Sequence, residues 1–280
     1  MRREIQNSLA PQLAQDGAGV KLKRLFPAPG LDHIDPFLLF DHFGSDNPDD
    51  FIAGFPMHPH RGIETVTYML DGRVKHSDST GRSGVIEAGD VQWMSAGRGI
   101  LHEEMPERAD GRLSGFQLWV NLPANEKMKP AEYQEYKASE ITAFEHQGNQ
   151  IRLLSGELLG HQGVVSNVST LPLYADISLN TGQLTLQLPQ SHHAFIYVFE
   201  GSTHVVNGNG DSKVAMAPRL ITLTEGDELV FETQDSARVM LAAARKIEEP
   251  IARWGPFVMN TREEIEQTLK EMREGRFPPP

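Results

Sequence analysis

The 280-residue chain contains no cysteine. Disulfides, thiolate metal sites and cysteine nucleophiles are therefore excluded, although the absence does not choose a cellular compartment. No stretch approaches the ~20 apolar residues of a membrane-spanning helix. The opening residues, MRREIQNSLAPQLAQDG, carry basic side chains with no apolar run behind them, so a signal peptide is not expected. A soluble, cytoplasmic protein is the expectation. Positive charge is also in short supply: 26 Lys and Arg stand against 38 Asp and Glu, a net charge of −12. Such a chain repels phosphate backbones, which argues against direct nucleic-acid binding.

The chain does have apolar residues enough for a substantial core, 39% of the total, and length for one large domain or two ordinary ones. It reads as strand and turn nearly throughout. Thr65-Val66-Thr67-Tyr68-Met69-Leu70 is a strand closed by the turn signal Asp71-Gly72. Val74-Lys75-His76-Ser77-Asp78, Val85-Ile86-Glu87, Val91-Gln92-Trp93-Met94 and Phe116-Gln117-Leu118-Trp119-Val120 follow, with glycine turns between them. Strands at this spacing indicate a closed sandwich or barrel. A second region repeats the pattern. Residues 194–201 match the strand-into-glycine pattern of 65–72, and residues 223–229 match 85–91, so two β-domains of similar size are expected. Residues 123–145, rich in Pro and charge, read as a bridging loop with a short helical turn. One helix is expected near the C-terminus. Thr261-Arg262-Glu263-Glu264 is a capping box, Ile265, Leu269 and Met272 form an apolar stripe to pack on the barrel wall, and residues 277–280 stop it.

The chemistry concentrates in residues 54–104. His58-Pro59-His60 is a His-x-His pair, and His102-Glu103-Glu104 stands some forty residues on. Eleven histidines would give roughly 0.4 such pairs by chance, so the pair alone is weak evidence. On an extended strand, however, residues i and i+2 point the same way. His58 with His60, and His102 with Glu104, would then supply four ligands from neighbouring strands and leave two positions open on an octahedral ion. The bland alternative is four ordinary polar residues on a barrel rim. A set of nitrogen and oxygen donors without thiolate suits Fe(II), Mn(II), Ni(II) or Co(II), with Cu(II) and Zn(II) also admissible. Open positions point to catalysis or small-molecule binding.

At these residues the chain resembles a known family. Residues 54–72 and 89–102 look like the two cupin motifs. The fuller text resembles the pirins: HPHRGIETVTY from His58, QWMSAGRGILHEEMP from Gln92, QLWVNLP from Gln117 and GPFVMNT from Gly255. The resemblance runs from about Asp35 to the end of the C-terminal helix. It implies an all-β bicupin, two double-stranded β-helix (jelly-roll) barrels face to face with a C-terminal α-helix. Residues 1–140 would be the metal-binding cupin, with the first twenty disordered, and residues 141–280 a degenerate cupin plus the helix. By match to the motif, the ligands would be His58, His60, His102 and Glu104, holding one divalent ion, Fe(II) first among the candidates. Glu64, the usual cupin carboxylate, would stand behind the ligands or be structural. The second half, with Gln190-Ser191-His192-His193 and no His-x-His, could not build the same site.

The resemblance implies two uses. Several pirins are similar to flavonol dioxygenases, which open the heterocycle of quercetin with O2; Glu104 would take the flavonol proton as catalytic base. Eukaryotic pirins look like iron-dependent redox sensors that dock on a transcription factor, and bacterial relatives are implied to modulate metabolic enzymes, so a protein partner is the rival expectation. A monomer is expected. Elsewhere, His76 and Asp78 read as a surface pair and Asp41-His42 as packing residues. Trp93 and Trp119 read as core, Met94 or Phe55 as possible pocket lining, Arg61 and Arg98 as turn braces, and His192-His193 as a solvated loop.

Overall fold

The computed structural model describes residues 1–107 and 111–279; Pro280, the end of the expected stop signal, lies outside them. The chain divides into two compact units. One comprises Met1–Pro11, Ile34–Pro36 and Glu140–Lys246, hereafter the late barrel. The other comprises Gln12–His33, Phe37–Ser139 and Ile247–Pro280, hereafter the early barrel. The division is not the single cut expected at residue 140. The first eleven residues belong with the late barrel, and the C-terminal helix belongs with the early one. The first twenty residues are not disordered either: they carry the strands Ile5–Leu9 and Gln12–Asp16, which pair with Arg219–Leu223 and Val20–Phe26 respectively.

The early barrel is built from two antiparallel sheets. The larger runs, in spatial order, Glu132–Tyr136, Val91–Ser95, Ile63–Asp71, Leu113–Asn121, Phe37–Ser45, Val20–Phe26, Gln12–Asp16. The smaller runs Phe55–His60, Ile100–Pro106, Arg73–Asp78, Ser83–Glu87. Every strand expected between residues 65 and 120 is present, extended by one to three residues at most ends. Residues 123–145 depart from expectation. A 3-10 turn at Ala124–Glu126 is there, but Glu132–Tyr136 adds to the large sheet beside Val91–Ser95, and Thr142–His146 pairs with Asn149–Ser155 in the late barrel. Tyr133 and Tyr136 give that charged stretch its strand-forming character.

The late barrel is dominated by three long strands, Leu173–Gln187, His192–Val206 and Glu228–Arg245, in one eight-stranded sheet. Register shifts at Asn180/Gly182 and Gly201/His204 supply the extra residues that let such strands bend. Its core is a large apolar cluster that includes Leu153, Ile177, Leu184, Ile196, Phe231 and Leu241, with the buried hydroxyls of Thr203 and Thr233 bonded to each other at 2.7 Å. Each such apolar side chain contributes about 1.5–3 kcal/mol on burial. His192 opens a strand and is buried, not solvated, and His193 bonds the Asp35 carbonyl at 2.8 Å.

The helix Arg262–Arg273 is the only α-helix among the described residues, and both halves of its capping box form. Glu264 N–H donates to Thr261 Oγ1 at 3.2 Å, and Thr261 N–H donates to Glu264 Oε2 at 2.9 Å. The buried positions are Ile265 and Thr268, whereas Met272 is exposed. Thr268 turns inward because it meets Arg61, a fully buried guanidinium that donates to Thr268 Oγ1, Glu271 Oε2 and the Arg98 carbonyl. Arg61 is thus a brace, as its loop position suggested. No helix among the described residues is long and apolar enough to cross a membrane.

Candidate metal centre

The strand Phe55–His60 pairs with Ile100–Pro106 so that His58 stands opposite His102. Directly opposed residues share a face of the sheet, and His60 lies on that face two residues along. The three imidazoles therefore converge. Their ring centroids are 4.3–5.0 Å apart, and one nitrogen from each falls within a 4.8 Å group. His58 Nδ1–H donates to the Pro56 carbonyl at 2.9 Å, which leaves the Nε2 lone pair facing His60 Nε2 at 3.1 Å. The turn after His60 demands glycine at position 62. Its φ is +79°, and a Cβ there would lie 1.9 Å from the Val258 carbonyl oxygen. Lys127, itself buried, donates to the Gly62 and Val258 carbonyls and closes the turn from the other side; burial pushes its pKa down to about 8.

The electrostatics suit a cation. Burial, then the neighbouring His58, holds His60 down at about 3, and burial with His60 and His58 holds His102 well below the usual imidazole range. Both rings are neutral donors at ordinary pH. Neither nitrogen of His102 has a hydrogen-bond partner, nor has Nδ1 of His60, although all three atoms are buried. Bare polar atoms in a dry interior cost about 1–3 kcal/mol each. A divalent ion ligated by the triad removes part of that cost, so the residues present fit a metal.

The fourth expected ligand behaves differently. Glu104 is buried and faces the same interior, but it is not in the 4.8 Å donor group. The register shifts between His102 and Glu104, so on one side Glu104 faces Phe55, while on the other it faces His76. Its Oε1 accepts from Thr67 Oγ1 of the opposite sheet at 2.9 Å, and burial raises its pKa. Glu64 lies away from the triad: Trp93 Nε1 and Lys129 Nζ donate to its two oxygens, which makes it a structural anchor of a core tryptophan.

Behind Thr67 the large sheet carries a row of polar residues in register. Glu135 faces Gln92, Gln92 faces Thr67, Thr67 faces Gln117, Gln117 faces Asp41 and Asp41 faces Arg24. At one end His76 Nε2 bonds Glu135 at 2.9 Å and holds that carboxyl down at about 2. His76 and Asp78 are therefore interior residues, not a surface pair. At the other end Asp41 is gripped by Arg24 at 2.9 and 2.7 Å; burial pushes its carboxyl up to about 6 against that pull. His42 packs on Phe116 as expected, but Asp41 does not merely pack.

Asp41 lines a cavity of about 480 Å³ that two of the three imidazoles also line. His58, His60 and Glu104 stand in its wall, and Phe43, Phe55 and Trp119 supply aromatic faces. Trp119, expected in the core, stands edge-on to His60 at 5.0 Å and faces the cavity; Met94 is core and Phe55 is lining. Sequence reasoning did not single out Arg24, Gln117 or Arg253. The first two carry a faint signal as polar residues inside otherwise apolar strands. Arg253 comes from the distant Ala252–Trp254 strand and carries none.

Two family profiles match the chain. That described as Pirin covers residues 19–120, and that described as the Pirin C-terminal cupin domain covers residues 174–278. A Pseudomonas aeruginosa protein that bears the provisional name quercetin 2,3-dioxygenase is 45% identical over 269 residues, 94% of this chain and 93% of its own. A pirin-like protein of Caulobacter vibrioides is 41% identical over 98% of this chain and 99% of its own. The crystal structure of quercetin 2,3-dioxygenase from Acinetobacter baumannii superposes with a TM-score of 0.89 at 31% identity, covering 99% of each chain.

Proposed function

The chain belongs to the pirin family, and on that premise we propose that it is a metal-dependent flavonol dioxygenase, opening quercetin or a close analogue with O2. The observation that supports this reading above all is the cavity. An ion held only for structure or for redox sensing needs no aromatic-walled chamber at its side, and here His58 and His60 both line the chamber. Its volume and its Phe and Trp walls suit a flat polyphenol. The names borne by the Pseudomonas and Acinetobacter proteins point the same way.

In this proposal His58, His60 and His102 hold the ion, Fe(II) by preference, and Glu104 completes the set or stands beside it. When bound, the ion would orient the deprotonated flavonol oxygen and stabilise its charge. The chain's own residues do the rest. Glu104, raised by burial and steadied by Thr67, is placed to take the flavonol hydroxyl proton, since a carboxyl with an elevated pKa is the better base. Thr67 and Gln117 keep that carboxylate facing the cavity; the aromatic walls hold the substrate flat and exclude water.

The test is direct. The protein is loaded separately with Fe, Ni, Mn, Co and Cu, its metal content is measured, and loss of quercetin absorbance is followed under O2. Metal-dependent bleaching is the expected result. Absence of turnover with every ion would sink the enzyme reading and leave a metal-binding protein that acts through a partner.

A further inference from the structure

Two guanidinium groups line the cavity, and only one of them is committed. Arg24 spends its donors on Asp41, at 2.9 and 2.7 Å, and on Asp16 at 2.7 Å. Arg253 has no carboxylate within ion-pair distance among the described residues. Its contacts to the Gly255 and Leu38 carbonyls are both 3.4 Å, the long limit for a hydrogen bond. Its carbon lies 5.1 Å from the centre of the Trp119 ring, and that same ring is 5.0 Å from His60. The acids whose charges reach it are Asp32, exposed at the surface beside His33, and Asp16 and Asp41, both already held by Arg24. Stacking on the indole fixes the plane of the guanidinium and leaves its edge for a ligand.

We propose that Arg253 is the specificity-determining cation of the cavity, and that the ligands it selects are planar aromatic compounds bearing an acidic group on the Trp119 side of the imidazole triad. The inference rests on the reading of this cavity as the substrate site, and it adds a charge requirement that a merely aromatic pocket does not impose. Planar, bidentate recognition of an oxyanion is what arginine does better than lysine. A neutral ligand of the same shape would forgo that charge-assisted pair.

The experiment compares naphthalene-2-sulfonate with methyl 2-naphthyl sulfone, a matched anionic and neutral pair. A sulfonate is a poor metal ligand, so the protein is used as purified, with its metal measured. Calorimetry at pH 7.5 on the unaltered protein is expected to show the sulfonate bound about tenfold more tightly. Arg253→Gln should erase that preference while leaving the sulfone affinity unchanged, and Arg253→Lys should keep only part of it. Melting temperatures establish that both variants are folded. Equal affinity for the two probes in the unaltered protein, or a preference that survives in Arg253→Gln, would overturn the proposal. A failure to bleach quercetin would not touch this result, and equal probe binding would not touch the bleaching, so the two readings fail separately.

Discussion

At inward positions of the late barrel stand Ile177, Leu184, Ile196, Leu229, Phe231 and Leu241. At inward positions of the early barrel stand His60, His102, Glu104, Thr67, Gln92 and Gln117, with the apolar residues pushed into smaller clusters around them. Both barrels follow the same strand-and-glycine grammar. Gly72 ends its strand and Gly201 sits at a register shift inside the long strand His192–Val206, both with positive φ, and Val85–Asp90 has its counterpart in Leu223–Asp227. The backbone plan is therefore indifferent to what fills it. A continuous apolar interior makes the late barrel self-sufficient. The early barrel tolerates a row of polar side chains because each is satisfied by its neighbour across the strand, or by something from outside the chain.

The comparison can be broken at several points. The largest effect is expected from His58→Ala with His102→Ala, which should take bound metal from about one per chain to background, measured by elemental analysis. His192→Ala, a buried histidine in the late barrel, should leave metal content unchanged. If the double variant keeps its metal, the assignment of the centre to the early barrel is wrong. Next, Glu104→Gln should abolish quercetin bleaching and weaken metal retention while the fold persists by circular dichroism. In the late barrel, Phe231→Ala should cost roughly 3–5 kcal/mol in urea unfolding without altering the metal stoichiometry.

The smallest effect is a pH slope. The folded metal-free chain refuses a proton on His60 until about pH 3, whereas an unfolded histidine accepts one near 6.5. The unfolded state binds more protons between those values, so stability is full above pH 6.5 and falls as pH drops through that window. About 2 kcal/mol should be lost by pH 5 from His60 alone. His60→Gln should flatten the slope in thermal melts at pH 5 and 7; an unchanged slope would mean that His60 is protonated in the folded chain.

Much of this was legible beforehand where local rules govern. Alternation and glycine turns located the strands from Ile63–Asp71 to Leu113–Asn121, the i, i+2 spacing paired His58 with His60, and the capping box placed the helix at Thr261. What was not legible depends on register between distant strands. Thr67, Gln117 and Asp41 come together only because three strands align to the residue, and a shift of one would turn all of them outward. Trp119 looked like core because tryptophan usually is, and only its approach to His60 shows otherwise. His76 and Asp78 follow a tight turn and so looked exposed, yet their strand is an inner one of the small sheet. The strand Ile5–Leu9 leaves no sequence signal, because its residues are largely exposed and its pairing partner lies more than 200 residues away.

The grip of Arg61 on the helix Arg262–Arg273 has a consequence for how the protein is made. Arg61 directly follows His60, and its partners Thr268 and Glu271 lie 207 and 210 residues later. A ribosome thus completes the whole of Glu140–Lys246 before the segment that steadies the His60 turn exists. All of the late barrel's sequence is therefore made while the early barrel still lacks its helix. The clasp at Arg61 is among the last contacts the chain can form, and the turn that carries His60 gains it only as synthesis ends.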